Sequence, residues 1–233
     1  MKLIVPAYFH PSGVGLTYWQ AVINQNVAVE YVIANPNSGP GATKEAAYAT
    51  VISQCQARGI SVLGYVATTY AAKPMATVLA EAKRWETFYA ADGIFLDEVS
   101  SGTDKLDYFA KLYAAIKGPV IMNPGVYPEK AYVECADILC VEERGVAVTE
   151  DRSVKTAEWM IGQPADKFYY ILYSIPTASQ MRRILTKAQQ RNVGYIYVTN
   201  DVLSNPFDKL PTYFNDECAL VRDLASTISL RRF

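Results

Sequence analysis

Two apolar runs in the sequence each end in a pair of acidic residues. Gly93–Leu96 leads directly into Asp97 and Glu98, and Ile138–Val141 leads into Glu142 and Glu143. Short apolar runs of this kind are typical of strands buried on both faces. Like charges at the end of a buried strand repel each other, which favours a raised pKa for one of them. Two carboxylates that flank one bond can perform glycoside hydrolysis, one as acid/base and the other as nucleophile or base.

Each acidic pair also has a structural interpretation. Asp97 and Glu98 can be a helix N-cap followed by a surface acid, and Glu143 can form a salt bridge with Arg144. Because successive strand residues face opposite sides, we expect only one of Asp97 and Glu98 to point directly into the pocket. We predict that Asp97 and Glu142 are the catalytic pair, with Asp97 as nucleophile or stabiliser and Glu142 as acid/base. Glu98 would add charge or a sugar contact.

Polar and aromatic residues also follow most of the other apolar runs. Tyrosine and tryptophan can stack on the apolar faces of sugar rings, and asparagine can hydrogen-bond hydroxyl or acetamido groups. We therefore predict substrate-binding roles for Tyr8, Trp19, Asn35, Asn37, Tyr65, Asn123, Tyr173 and Asn200. Each can equally be structural, since Asn35 and Asn123 both precede proline, where asparagine often starts a turn. His10, the single histidine, lies either at the edge of the pocket or in a position without a function.

Alternating strands and helices must position these side chains. Eight runs are predicted as strands: Leu3–Phe9, Val29–Ala34, Ser61–Val66, Gly93–Asp97, Val120–Asn123, Ile138–Glu142, Phe168–Tyr173 and Tyr195–Thr199. Between them, helical periodicity marks Thr43–Ala57, Pro74–Tyr89, Leu106–Ile116, Ser153–Ile161 and Ala178–Arg191. This pattern predicts an α/β fold of the (β/α)8 TIM-barrel class, in which the carboxyl ends of the strands converge on one active-site face.

A doubly wound sheet is the alternative fold. It would need a glycine-rich phosphate loop after the first strand, and Pro11–Gly15 matches such a loop poorly. No stretch of the chain has the length and composition of a linker, so residues 1–233 are predicted to form a single barrel domain.

Composition narrows the classes of partner. The net charge is −1, so no basic surplus favours nucleic acid, and no apolar run approaches the ~20 residues of a membrane span. Four cysteines, Cys55, Cys135, Cys140 and Cys218, lack zinc-site spacing and are predicted to be reduced and structural. We expect no metal, no cofactor and a monomer. The opening MKLIVPAYF is not a signal peptide, which predicts a cytoplasmic protein if the chain is complete and a secreted one if a leader was removed.

The residues at these strand ends resemble the spherulin-4-like family of glycoside hydrolases. The matching segments fall in the same order over about two thirds of the chain: Val5–Pro11, Ala34–Gly41, Leu63–Val66, Asp92–Glu98, Asn123–Gly125 and the acid-ended strand at Glu142. The segments NPNSGPG and DGIFLDE are highly specific together. This chain has Ala67-Thr68 where the family often has His-Thr, and Val141 where it often has an aromatic residue.

The resemblance implies a (β/α)8 fold and endo-acting cleavage of α-1,4-linked galactosamine or N-acetylgalactosamine exopolysaccharides of the biofilm-matrix type. It also implies that the functional acids are Asp97, Glu98 and Glu142. An α-linked 2-acetamido group cannot attack the back face of the anomeric carbon, which favours a protein nucleophile and a retaining mechanism. The two departures affect the choice of polymer more than the reaction. An acidic pocket would also favour a partly deacetylated, cationic polymer.

Two other classes of function remain open from the sequence. A sugar-binding barrel without catalysis would have its acids turned away from the pocket or held in ion pairs. An intracellular barrel enzyme acting on a small phosphorylated substrate would need glycine-rich loops after the seventh and eighth strands, and Ser174–Pro176 and Asp201–Pro206 do not supply them.

Overall fold

The computed structural model describes residues 1–145 and 156–230, and in these ranges strands alternate with helices. The strands are β1 (Lys2–Ala7), β2 (Val29–Ala34), β3 (Ser61–Ala67), β4 (Gly93–Asp97), β5 (Val120–Met122), β6 (Ile138–Gly145), β7 (Phe168–Tyr173) and β8 (Tyr195–Val198). The helices are α1 (Gly13–Ile23), α2 (Ala46–Ala57), α3 (Met75–Tyr89), α4 (Leu106–Ala115), α5 (Ala178–Gln190) and α6 (Phe214–Leu230). No helix within these ranges is long and apolar enough to cross a membrane.

The eight strands form a closed parallel barrel in sequence order. Pairing of Lys2 with Tyr195 and of Leu3 with Ile196 joins β1 to β8 and closes it. The predicted TIM-barrel class is therefore confirmed. Of the predicted helices, Ser153–Ile161 falls partly on residues outside the described ranges, and its described end contains only a 3-10 turn at Glu158–Met160.

Close packing fixes the helix layer against the barrel. Gly64 faces α3, and a Cβ at this position would stand 2.2 Å from the ring of Trp85, so only glycine lets the helix approach this closely. The Trp85 indole nitrogen donates to the carbonyl oxygen of Tyr65 at 2.9 Å. Because successive strand residues face opposite sides, Gly64 faces the helix layer and the next side chain, Tyr65, points to the barrel interior.

The backbone is strained mainly in the loops that follow the strands. Ser38 after β2, Thr69 to Ala71 after β3, Glu98 after β4 and Ser174 after β7 all have positive φ angles although none is glycine. Such conformations are costly for L residues and persist only where the surrounding structure imposes them, often at functional sites. The strain therefore marks the carboxyl ends of the strands as the end of the barrel to search for a site.

A one-residue bulge interrupts β6 in its pairing with β7. Cys140 pairs with Tyr169, but the next pair in register is Glu142 with Tyr170, so Val141 is an extra residue. A bulge of this kind shifts the alternation of side chains beyond it by one position. Residues after Val141 consequently face the side opposite to that predicted by simple alternation.

Candidate active site

An open pocket of about 710 Å³ lies at the carboxyl ends of the strands. Its walls come from loops after β1, β2, β5 and β8 and from side chains of β3, β6 and β7. The lining residues are Tyr8, Asn35, Pro36, Asn37, Ser38, Tyr65, Gly125, Glu143, Tyr173 and the segment Leu203–Phe207. Among them Glu143 is the one charged side chain.

Asp97 lies at the end of β4, beside this pocket. Its Oδ2 accepts a hydrogen bond of 2.8 Å from the Tyr65 hydroxyl, and its Oδ1 accepts one of 2.8 Å from Nδ2 of Asn123. Burial raises the pKa of Asp97, and these two hydrogen bonds oppose part of that rise because they favour the carboxylate form. Asp97 is thus an oriented carboxylate with two of its lone pairs already engaged.

Asn123 joins the two acids of the site. The nitrogen that donates to Asp97 also donates to Oε2 of Glu143 at 2.6 Å, and Oδ1 of Asn123 is held by the Gly125 amide at 2.9 Å. The joined carboxylate oxygens are therefore no more than about 5.4 Å apart, since both bond to one nitrogen. Burial raises the pKa of Glu143 to about 7; the Asn123 hydrogen bond lowers it, and the charge of Asp97 adds to the rise.

The structure brings Glu143, and not Glu142, to the pocket, so the predicted position of Glu142 is corrected. Cys140 faces the barrel interior, where the charges of Glu143 and Asp97 add to the burial that raises the pKa of its thiol. Simple alternation would have put Glu142 on the same side as Cys140. The bulge at Val141 reverses this and turns Glu143 inward.

Glu142 lies on the outer face of β6, against α5, with Tyr170, Lys187 and Arg191 close by. It is 3% exposed, and Arg144 Nε donates to its Oε1 at 2.7 Å. The salt bridge to Arg144 that was predicted for Glu143 therefore belongs to Glu142. An acid neutralised in this way and facing a helix cannot reach a sugar held in the pocket.

Glu98, the second acid of the β4 pair, follows Asp97 in a left-handed conformation, with φ of 54°. The Thr68 hydroxyl contacts the carbonyl oxygens of both Asp97 and Glu98, at 3.0 and 2.8 Å. This contact ties the loop after β3 to the end of β4. Glu98 is partly exposed beside the site but does not line the pocket.

Five of the predicted substrate-binding residues line the pocket: Tyr8, Asn35, Asn37, Tyr65 and Tyr173. Tyr8 packs edge-on against both Tyr65 and Phe207, which holds its ring in place at the base of the first loop. Oδ1 of Asn35 accepts a hydrogen bond of 2.9 Å from the Gly39 amide, so this side chain also holds its own loop. Asn123 joins the two acids without lining the wall itself.

Three other predicted binding residues lie away from the pocket. Trp19 is fully buried under the first loop, where its indole nitrogen donates to the Phe9 carbonyl oxygen at 3.0 Å, so no sugar can stack on it. His10 is exposed and contacts Ser12 and Glu45 on the outer side of the loop. Asn200 accepts a hydrogen bond from the Thr212 amide at 2.9 Å and holds the segment that leads to α6.

Sequence reasoning missed Glu143 and the segment Leu203–Phe207. The segment carries no charged residue and no recognisable motif. The whole connection between β8 and α6, in which the segment lies, is unusually long for a βα loop, and this length could have drawn attention to it. Glu143 would have required prediction of the bulge, for which the sequence offers no glycine or other local signal.

Among the described residues, the cysteines and the possible metal ligands do not form a second centre. All four cysteines are free and buried, in agreement with the sequence-based prediction. In the part of the chain that the structure describes, no group of three or more histidine, cysteine, aspartate or glutamate side chains is placed to hold a metal ion. The chemistry available at the pocket is that of two carboxylates, several side-chain amides and several phenols.

Comparison with known proteins finds one family and several barrels. A model of the "Spherulation-specific family 4" matches residues 2–221. Spherulin-4 of Physarum polycephalum is 28% identical over 243 residues, covering 96% of this chain and 71% of the relative. The structure of Aspergillus clavatus Sph3 in complex with GalNAc superposes with a TM-score of 0.82 at 24% identity, over 95% of this chain and 97% of that one.

A GH18 chitinase from Pseudoalteromonas aurantia is a more distant structural relative. Its TM-score is 0.58 at 12% identity, over 97% of this chain and 99% of the chitinase. A likeness at this level of identity concerns the fold, which is the closed parallel barrel already described.

Proposed function

The chain belongs to spherulation-specific family 4, and from that premise and the geometry of the pocket we propose that it is a glycoside hydrolase. Its substrate is an α-1,4-linked exopolysaccharide of N-acetylgalactosamine or galactosamine, cleaved within the chain. The observation that carries the proposal is the pair of carboxylates, Asp97 and Glu143, that share the side-chain nitrogen of Asn123.

The two acids have the environments that their roles require. Asp97 accepts hydrogen bonds from Tyr65 and Asn123, which favour the ionised form and aim the carboxylate, as a nucleophile needs. Glu143, with its pKa raised to about 7, holds a proton near neutral pH and can deliver it to the leaving oxygen. Burial raises the pKa of both acids, but Asp97 accepts two side-chain hydrogen bonds that oppose the rise and Glu143 accepts one, so the two carboxyl groups have different environments, as acid/base and nucleophile in one site usually do.

The spacing of the acids favours retention of configuration. Retaining glycosidases hold their carboxyl groups ~5–5.5 Å apart, and inverting ones leave ~6.5–9.5 Å for a water. The shared nitrogen of Asn123 keeps Oδ1 of Asp97 and Oε2 of Glu143 within about 5.4 Å of each other, which is nearer to the first class than to the second. A substrate-assisted route is closed to an α-linked sugar, because its 2-acetamido group lies on the same side as the leaving group.

The reaction then proceeds in two displacements. An Asp97 oxygen attacks the anomeric carbon while Glu143 gives its proton to the departing glycosidic oxygen, which leaves a glycosyl ester on Asp97. Glu143, now a carboxylate, takes a proton from an entering water as that water attacks the same carbon. The ester bond to Asp97 breaks, Glu143 regains its proton, and the product keeps the α configuration.

The pocket walls suit an amino sugar. Tyr8 and Tyr173 offer phenol rings and hydroxyls, and Asn37 offers an amide to hydroxyl or acetamido groups. Sph3, which shares the barrel, was solved in complex with GalNAc. Among the described residues that line the pocket, none is lysine or arginine, so this part of the wall offers no cationic partner to the phosphate group of a small phosphorylated substrate. Glu98, beside the site, would contribute negative charge for a partly deacetylated, cationic polymer.

The direct test is product analysis with defined polymers. The protein is incubated with acetylated and deacetylated α-1,4-galactosamine polymers and with a glucosamine polymer, and released oligosaccharides are analysed by mass spectrometry. We expect oligomers of several lengths from the galactosamine polymers alone, with the α anomer formed first by proton NMR. The Asp97→Asn variant is the matched control and should release none. Binding without release by the wild-type chain would instead favour a sugar-binding barrel without catalysis.

A further inference from the structure

An exposed tyrosine lies in a strained loop after β3, which among the described residues has the longest run of non-glycine residues with positive φ angles. Thr69, Tyr70 and Ala71 have φ angles of 51°, 52° and 68°, so three consecutive non-glycine residues are left-handed. L residues rarely adopt this conformation even singly, and runs of it are disfavoured. Tyr70 is nevertheless 61% exposed, so burial of its ring does not explain why the loop is held in this form.

Hydrogen bonds fix this loop to the loop that carries the acids. The Tyr70 amide donates to the carbonyl oxygen of Glu98 at 2.7 Å, and the Ser100 hydroxyl donates to the Tyr70 carbonyl oxygen at 3.1 Å. One residue before the left-handed run, Thr68 is buried and its amide donates to the carbonyl oxygen of Asp97 at 2.9 Å. Tyr70 is therefore attached to the backbone of Asp97 and Glu98 through short, direct contacts.

The position of this tyrosine complements the pocket. The described lining of the pocket comes from side chains of β3, β6 and β7 and from the loops after β1, β2, β5 and β8, but not from the loops after β3 and β4, so Asp97 lies at the edge of the pocket where β3 and β4 end. An enzyme that cuts within a polymer must hold sugars on both sides of the scissile bond. On the other side of the acids, the loops after β3 and β4 form the surface, and Tyr70 is the exposed aromatic ring on them.

We propose that Tyr70 is a stacking platform for a pyranose ring of the polymer, one that lies outside the pocket and past the Asp97–Glu98 strand end. The inference rests on the proposed function for the identity of the polymer. The strained, hydrogen-bonded backbone fixes the Cα of Tyr70 relative to Asp97 and leaves the ring exposed, so the loop does not have to be ordered when a sugar binds. Its apolar face takes the C–H face of a sugar.

The test measures polymer affinity in an inactive background. Partly acetylated α-1,4-galactosamine polymer is titrated against Asp97→Asn, alone and combined with Tyr70→Ala, Tyr70→Phe or Tyr70→Gly. We expect Tyr70→Ala and Tyr70→Gly to weaken binding about 3- to 10-fold and Tyr70→Phe, which keeps the ring, to leave it within about 2-fold. Ile161→Ala changes another exposed apolar residue, in the segment before β7; it is the matched control and should bind as the parent does.

The glycine variant separates binding from folding. Glycine adopts a positive φ without strain, so Tyr70→Gly should keep the thermal midpoint of the parent while losing affinity. Equal affinities of the alanine variant and the parent, equal losses for alanine and phenylalanine, or no polymer binding by the parent would each overturn the platform. Hydrolysis by the wild-type chain is measured in parallel. If the wild type does not cleave the polymer but binding still depends on Tyr70, the proposed hydrolase activity is wrong and the stacking role of Tyr70 stands.

Discussion

Nε of Arg144 donates a hydrogen bond of 2.7 Å to Glu142 on the outer face of β6, one residue from the acid that enters the pocket. Glu142 is thus neutralised in a buried ion pair, while Glu143, next along the chain, carries a raised pKa and lines the pocket. Two consecutive glutamates of the same strand therefore have separable tasks, one in holding the strand and the other in the proposed chemistry.

The two glutamine variants should have opposite phenotypes. Glu143→Gln removes the proton donor and should lower kcat by about 10³-fold, within the usual range for loss of a general acid/base. Because the amide keeps the shape of the side chain, the unfolding free energy at pH 7 should not fall. Glu142→Gln instead leaves Arg144 partly buried without its counter-charge and should cost about 2–3 kcal/mol of stability.

Urea unfolding and steady-state hydrolysis measured on the same preparations separate these outcomes. The Glu142→Gln protein that remains folded should keep the pH profile of the wild type, since the residues in the pocket are unchanged. A loss of turnover in folded Glu142→Gln as severe as that in Glu143→Gln would contradict the assignment of Glu143.

The raised pKa of Glu143 also predicts how activity and stability vary with pH. Catalysis needs Glu143 protonated, so kcat/KM should fall as pH rises through about 7. The folded state binds this proton more tightly than the unfolded chain, whose ordinary glutamate pKa is 4.5. The contribution of Glu143 to stability is therefore most favourable below pH 4.5 and decreases as pH rises from 4.5 to 7.

Glu143→Gln should remove this dependence. Relative to the wild type, the variant should gain on the order of 2–3 kcal/mol of unfolding free energy between pH 4 and pH 8. Chemical unfolding at the two pH values measures the difference. Parallel curves for the two proteins would mean that Glu143 titrates normally in the folded state.

Asn123 should set the pH optimum of hydrolysis as well as the spacing of Asp97 and Glu143. Its side-chain nitrogen lowers the pKa of both Asp97 and Glu143, so Asn123→Ala should shift both limbs of the pH profile to higher pH. Loss of the shared donor should also reduce kcat by about 100-fold, the usual effect of removing one preorganised hydrogen bond. Asn200→Ala, which changes an asparagine outside the pocket, is the control and should leave the profile in place.

Trp19 should affect stability and not sugar binding. The indole is fully buried and hydrogen-bonded to Phe9, so Trp19→Phe leaves a gap and an unpaired carbonyl oxygen and should cost about 2 kcal/mol. Polymer affinity at 25 °C should equal that of the wild type. Isothermal titration of the polymer into the inactive Asp97→Asn variant, with and without Trp19→Phe, tests this. A weakened affinity in a folded protein would mean that Trp19 does contribute to sugar binding.

The barrel could be predicted because its signals are local and repeated. Eight apolar runs, each followed by polar residues, indicate buried parallel strands whose carboxyl ends meet, and the structure has all eight. Tyr8, Asn35 and Tyr65 reach the pocket for the same reason: each lies at or just after a strand's carboxyl end, on the side that faces the barrel mouth.

The errors arise where a neighbour decides the direction of a side chain. Trp19 lies on a helix whose buried face is set by packing under Phe9, and Asn200 is turned away by the Thr212 amide, 12 residues along the chain. Glu142 is predicted as the acid that ends the strand, but which of the two glutamates faces the pocket depends on side-chain alternation, and an extra residue interrupts that alternation. The partners that impose these directions are distant in sequence, so no local pattern records them.

The extra residue in β6 has a consequence for how the sequence of such a chain can change in evolution. Val141 determines which of two consecutive glutamates reaches the mouth of the barrel, so deletion of one residue there would exchange their places without altering either side chain. In this strand, an insertion or deletion is equivalent to moving a functional group from one face to the other. Lineages that differ in length at this point can therefore place different acids at the same location in space, and homologous positions must be matched by strand register and not by counting residues.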